Sequence, residues 1–120
     1  MPILSIIVPV YNEQADLERV IDRLMQAKIP VDREWIFVDD KSTDASLSIL
    51  QSLAPKYGFR ILTQEINQGK GAAVARGIAE AHGEIIFIQD ADFEYDPDEI
   101  PLVIQPILDR RADVVFGSRF

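Results

Sequence analysis

Asp90 and Asp92 are two carboxylates separated by one small residue, Ala91. In an extended segment residues i and i+2 point the same way, so the two acids converge. Such a pair repels itself unless a cation sits between, and hard oxygen donors suit Mg²⁺ or Mn²⁺. A diphosphate can complete the octahedron, and the metal then neutralises it as it departs. The competing reading is a solvated loop whose acids cap a helix. Six acidic residues (Asp90, Asp92, Glu94, Asp96, Asp98, Glu99) and no base lie between Gln89 and Glu99, as such a loop would have. Placement straight after the apolar run EIIFIQ favours the cation site.

Asp39 and Asp40 also follow an apolar run. One of them can accept hydrogen bonds from a base N–H or a ribose hydroxyl. The alternative is that Asp40, Ser42 or Asp44 caps the next helix. The loop Asn67-Gln68-Gly69-Lys70-Gly71 is not a Walker A loop, because the GxxxxGK[ST] spacing is absent. It is not a dinucleotide fingerprint either, since Val74 stands where the third glycine belongs. A glycine-rich helix start still offers backbone N–H groups to an anion, and Lys70 adds charge. The alternative is a tight turn with close helix packing at Gly71 and Gly77. Tyr11 and Glu13 stand where a base can stack or be bonded, and Arg119 where a phosphate can be met. His82 is the single histidine, just before Gly83, and reads as a helix C-terminal cap or surface residue. No Ser-His-Asp or Cys-His constellation is supported. The aspartyl-phosphatase pattern D-x-D-x-[TV] fails at Glu94.

These residues need elements to hold them. Leu4 to Val10 is a continuous apolar run that reads as a buried parallel strand. Asn12 is expected to cap a helix whose face is Leu17, Val20, Ile21 and Leu24, running to about Ala27. Trp35 to Val38 is the second strand, with Trp35 in the core. Leu47, Leu50 and Leu53 mark the second helix. Phe59 to Thr63, Gly69 to Ala81 and Glu84 to Gln89 give a strand, a helix and a strand. Ile100 to Leu108 reads as a fourth helix, with Pro106 kinking or shortening it, and Asp113 to Phe116 as a fifth strand. Alternation of this kind predicts an α/β fold: three layers, α/β/α, around a mainly parallel sheet. Ligands of such sheets bind beyond the carboxyl ends of the strands, where every polar motif above falls.

The 120 residues fit one domain, and 48% hydrophobic content suits a globular core. With no cysteine there is neither a disulfide framework nor a thiolate metal site, which fits a reducing compartment. The net charge of −8 argues against nucleic acid as a partner. No apolar stretch is long enough to span a membrane, and no signal peptide is seen. A cytoplasmic protein, peripheral at most to a membrane, is expected. The last residues, Gly117 to Phe120, follow a strand directly. The expectation is therefore a fold truncated after the fifth strand, with an exposed sheet edge open to homo-oligomer pairing.

Taken in order, IIVPVYNE (6–13), VDDKSTD (38–44), NQGKG (67–71), DAD (90–92) and GSR (117–119) resemble glycosyltransferase family 2. The likeness is strongest to the dolichol-phosphate mannosyltransferase and polyprenyl-phosphate sugar transferase branch. It covers essentially the whole chain. The resemblance implies a GT-A fold in which residues 1–120 are the nucleotide-sugar-binding N-terminal part. It implies inverting transfer from a GDP- or UDP-sugar, with a lipid phosphate at a membrane surface as acceptor. By the same resemblance Pro9, Tyr11, Asn12, Glu13, Val38, Asp39, Asp40, Lys70, Asp90, Ala91, Asp92 and Arg119 contact the nucleotide sugar. Asp90, Asp92 and Glu94 hold Mg²⁺ or Mn²⁺. The catalytic residue is left unassigned, because in the family the acceptor side comes from sequence beyond Arg119. An already ionised phosphate acceptor has less need of a general base. Lys41 stands where relatives often carry Gly or Asn. The alternative function is a nucleotide-binding module without turnover.

Overall fold

The computed structural model describes residues 2–91 and 114–117. The chain runs β1 (Leu4–Val10), α1 (Leu17–Met25), β2 (Arg33–Asp39), α2 (Ser46–Tyr57), β3 (Arg60–Thr63), α3 (Lys70–Glu80), β4 (Ile85–Gln89) and β5 (Val114–Gly117). All five strands are parallel, in the order β3-β2-β1-β4-β5. The helix expected at 100–108 lies outside the described residues. β5 starts and ends one residue later than expected.

The apolar runs form strands because both of their faces are covered. Leu4, Ile6, Val8 and Val10 of β1 pack with Phe37, Phe87 and the α1 face. Ile7 turns the other way, with Ile36, Val38 and Ile88, against Ala73 of α3. Helices therefore lie on both sides of the sheet, and the three-layer expectation holds. α1 buries Leu17, Val20, Ile21 and Leu24, the spacing read from the sequence. Each such side chain contributes about 1.5–3 kcal/mol of burial.

Glycine does two different jobs in α3. A Cβ on Gly77 would stand 2.6 Å from Ile7 Cγ2, so Gly77 lets the helix approach the sheet. A Cβ on Gly71 would meet nothing within 4 Å among the described residues. The close packing weighed as the alternative for both positions is found among the described residues only at Gly77, because Gly71 is on the exposed first turn.

A second correction concerns Asn12, which caps no helix. α1 begins five residues later, behind Asp16. Asn12 takes φ 51° and turns away from α1 toward the loop after β2. Asp44 does lie at the start of α2, its Oδ1 accepting the Ser46 N–H at 2.8 Å. α2 closes at Gly58, with φ 77° and an N–H bond to Ala54 O.

The chain builds β1, β2 and β3 outward in one direction. It then crosses back to lay β4 on the other side of β1. The crevice at the carboxyl ends of β1 and β4 is the topological switch point, where open α/β sheets take ligands.

Candidate functional site

A cavity of about 540 Å³ opens at that switch point. It is lined from β1 by Pro9, Val10, Tyr11 and Glu13, and from β2 by Asp40. The α3 loop adds Asn67, Gly69 and Lys70, and β4 adds Asp90 and Ala91. Seven of the residues singled out from the sequence thus meet in one place: Pro9, Tyr11, Glu13, Asp40, Lys70, Asp90 and Ala91. Tyr11 is 43% exposed, presenting a ring at the mouth.

Asp40 is almost fully buried, and both of its oxygens are in use. Oδ1 accepts the Gln68 N–H at 3.0 Å and Oδ2 the Gly69 N–H at 2.9 Å. The carboxylate therefore ties the glycine loop to the end of β2. Gly69 sits at φ 94°, a conformation L side chains rarely adopt. Behind it, no bond from the N–H groups of Lys70, Gly71 or Ala72 is found among the described residues. That is the usual state of a first helical turn, and it favours an anion.

Lys70 reaches across the cavity and pairs with Asp90 Oδ1. Asp90 thus offers a hard carboxylate oxygen at the cavity wall, with a cation already drawn to it. Its position and chemistry fit one ligand of Mg²⁺ or Mn²⁺. Among the described residues no group of three or more His, Cys, Asp or Glu could hold a metal by itself. The other expected ligands, Asp92 and Glu94, lie outside the described residues, as does Arg119.

The remaining expected residues are placed elsewhere. Val38 is fully buried in the α3-side core and does not line the cavity. Asp39 is also buried. Its Oδ2 accepts the Ser42 N–H at 3.1 Å, while Oδ1 has no partner among the described residues. Asn12 belongs to a clasp between the loops after β1 and β2. Its N–H donates to Ser42 Oγ at 3.0 Å, and its Oδ1 accepts the Thr43 N–H at 2.8 Å. Glu13 N–H donates to Ser46 Oγ, Gln14 N–H to Asp44 Oδ2, and Ala45 N–H to Gln14 Oε1. Burial opposes the charge of Asp44, but bonds from Ser46 and Gln14 outweigh it and hold the carboxyl below its ordinary range. The clasp fixes the backbone that carries Tyr11 and Glu13. Sequence reasoning had given Asn12 to the ligand and missed the clasp. Its signal was a pair of Asx/Ser/Thr-rich loops after adjacent strands.

A second polar centre lies at the opposite, amino-terminal end of the sheet. Glu34 on β2 stands in register with Ser5 on β1. Ser5 Oγ and the His82 N–H both donate to Glu34 Oε2, each at 2.6 Å. Arg60 and the His82 ring face Oε1. Burial pushes the Glu34 carboxyl up, but these bonds outweigh it and bring it down to about 2. A cleft of about 590 Å³ adjoins this centre, beside Asp32, Arg33, Trp35 and Tyr57. It is slightly the larger of the two, but it has neither the switch-point position nor the glycine-led helix start. His82 is a surface residue, as expected, tied down by Glu34. The signal missed in the sequence was one polar residue in each of two apolar strands.

Compared with known proteins, the family model "Glycosyl transferase family 2" matches residues 5–120. The chain is 34% identical over 117 residues to the dolichol-phosphate mannosyltransferase of Pyrococcus furiosus, covering 98% of this chain and 33% of that protein. Among solved structures it resembles mannosyltransferase PcManGT from Pyrobaculum calidifontis in complex with GDP-Man and Mn²⁺. The TM-score is 0.72 at 30% identity, covering 82% of this chain and 30% of that one. It also resembles glucosyl-3-phosphoglycerate synthase from Mycobacterium tuberculosis in complex with Mn²⁺, UDP and glucosyl-3-phosphoglycerate. There the TM-score is 0.71 at 28% identity, covering 89% of this chain and 40% of that one. These neighbours are GT-A glycosyltransferases, which bears out the fold expected from the motifs. The chain spans about a third of the length of the curated relatives it matches.

Proposed function

Because the chain belongs to glycosyltransferase family 2, we propose that residues 1–120 form the nucleotide-sugar-binding part of a glycosyltransferase domain. One observation carries this reading: motifs from four separate stretches of sequence line a single cavity at the switch point. Tyr11 and Glu13 take the base side. Asp39 is buried and off the cavity lining, and keeps one oxygen without a donor among the described residues. Asp40 contributes by holding the glycine loop in place. The first turn of α3 and Lys70 face the diphosphate. Asp90, with Asp92 and Glu94, would hold Mg²⁺ or Mn²⁺, and Arg119 would meet a phosphate.

When bound, the metal supplies charge neutralisation for the leaving diphosphate. The chain's own part is to orient the donor so that its anomeric carbon faces the acceptor. An acceptor oxygen then forms the new glycosidic bond as the bond to the diphosphate breaks, with inversion at that carbon. The acceptor class we favour is a polyprenyl or dolichyl phosphate. Support comes from a relative named as a dolichol-phosphate mannosyltransferase. Such an acceptor places the protein at a membrane surface. No helix among the described residues is long and apolar enough to cross a membrane. One structural neighbour is a complex with GDP-Man and another a complex with UDP, so the proposed donor carries a guanine or a uracil base.

Thermal unfolding with GDP, UDP and their sugar conjugates, each with Mn²⁺ and with EDTA, tests the reading. A ligand at about a hundred times its dissociation constant adds about 2.7 kcal/mol to the folded state. The expected result is a Mn²⁺-dependent rise for one nucleotide that is lost in Asp90→Asn. No rise with any nucleotide at millimolar concentration would contradict the donor site.

A further inference from the structure

Lys70 is the cation among the described residues that line the cavity, beside the acids Glu13, Asp40 and Asp90. Asp40 spends both oxygens on the backbone of the glycine loop. Asp90 is the acid that the Lys70 ammonium reaches. The Lys70 side chain is 57% exposed and Asp90 25%, so the pair is at the water-facing wall, not locked in a core. A lysine stem has several free torsions and can swing its ammonium to another anion without moving the helix.

The backbone beside Lys70 is ready for that other anion. The N–H groups of Lys70, Gly71 and Ala72 are unpaired among the described residues. A Cβ at Gly69 or Gly71 would meet nothing within 4 Å among the described residues, which leave the approach to this turn open. The ammonium therefore has two alternative counter-ions, the Asp90 carboxylate and an anion seated on the first turn of α3. A metal ion arriving alone must compete with Lys70 for Asp90, because two cations on one carboxylate repel each other. A metal arriving with a diphosphate brings the anion that draws Lys70 away.

We propose that Lys70 is a charge latch. It neutralises Asp90 while the cavity lacks donor, weakens the binding of free metal, and transfers to the diphosphate when metal and nucleotide enter together. The inference rests on the donor-site reading above and makes Lys70 a positioning residue that couples the two ligands.

The test is Mn²⁺ binding, followed by the electron paramagnetic resonance signal of the free ion, with and without GDP or UDP. Wild type is compared with Lys70→Met and Lys70→Arg. An exposed ion pair is worth enough for Lys70→Met to bind Mn²⁺ alone about two- to fivefold more tightly than wild type. Nucleotide should then raise Mn²⁺ affinity by a smaller factor in Lys70→Met than in wild type, and Lys70→Arg should keep the wild-type pattern. Equal or weaker binding of Mn²⁺ alone in Lys70→Met, or none in either protein, would overturn the latch. If Mn²⁺ alone binds both alike while nucleotide still enhances it, the latch fails and the donor site survives. If nucleotide has no effect on Mn²⁺ in any of the three, the donor-site reading fails and the latch with it.

Discussion

Replacing Asp40 by alanine removes the acceptor for two backbone N–H groups, those of Gln68 and Gly69. Both bonds go to a carboxylate and are of ordinary length, 3.0 and 2.9 Å, and the residue is 3% exposed. Bonds to a charged group contribute about 1.5–3 kcal/mol each. The two share one carboxylate, and the adjoining cavity lets water reach the freed N–H groups, so their contributions do not simply add. The expected loss is about 2–4 kcal/mol for Asp40→Ala. Asp40→Asn keeps one acceptor and should lose about half of that. At a urea slope of about 1.5 kcal/mol per M, a 3 kcal/mol loss moves the midpoint down by about 2 M. Hydrogen exchange adds a local readout. The Gln68 and Gly69 amides should lose protection in Asp40→Ala under conditions where the β1 amides keep theirs. An unchanged midpoint together with protected Gln68 and Gly69 amides would refute the claim that Asp40 anchors the loop.

Lys41 sits at φ 60°, a left-handed conformation that costs a lysine about 1–2 kcal/mol. After the extra entropy of an unfolded glycine, Lys41→Gly should raise stability by about 0.5–1 kcal/mol in urea unfolding. Glu34 has its carboxyl lowered from 4.5 to about 2, so its stabilisation is fully present above pH 4.5 and is lost as pH falls toward 2. The shift corresponds to at most about 3 kcal/mol. Urea midpoints taken between pH 6 and pH 3 should therefore fall more steeply for wild type than for Glu34→Gln, and parallel slopes would count against a stabilising hub at Glu34. A methyl group added at Gly77 collides with Ile7. Overpacking should make Gly77→Ala about 1–3 kcal/mol less stable by the same assay, despite alanine's better helix propensity.

Much of the framework was legible because each signal was local. Leu4–Val10 is apolar at every position but Ser5, a run that suits a strand covered on both faces, and the structure has that strand at those bounds. Leu17, Val20, Ile21 and Leu24 announced a helical face by spacing alone. Asp90 was visible as an acid at the end of such a strand. What escaped was the choice of partner across the fold. Asn12 and Thr43 are 31 residues apart and bond reciprocally, yet nothing in either local sequence says that Asn12 turns to a loop and not to a helix or a ligand. Asp39 and Asp40 are adjacent and chemically alike. The pleat sends them to opposite faces, and only Asp40 reaches the glycine loop. Gly71 and Gly77 look equivalent along α3, but the helical turn sends one to solvent and the other to Ile7.

The most direct test of the donor site is where Mn²⁺ comes to rest. Substoichiometric Mn²⁺ added with GDP or UDP broadens the amide resonances nearest to it. Broadening is expected at Tyr11, Gly69, Lys70, Asp90 and Ala91 on the carboxyl rim, with Arg33 to Trp35 unaffected at the other end. Broadening centred on Asp32 and Glu34, or spread evenly along the chain, would contradict a metal–nucleotide site at the switch point.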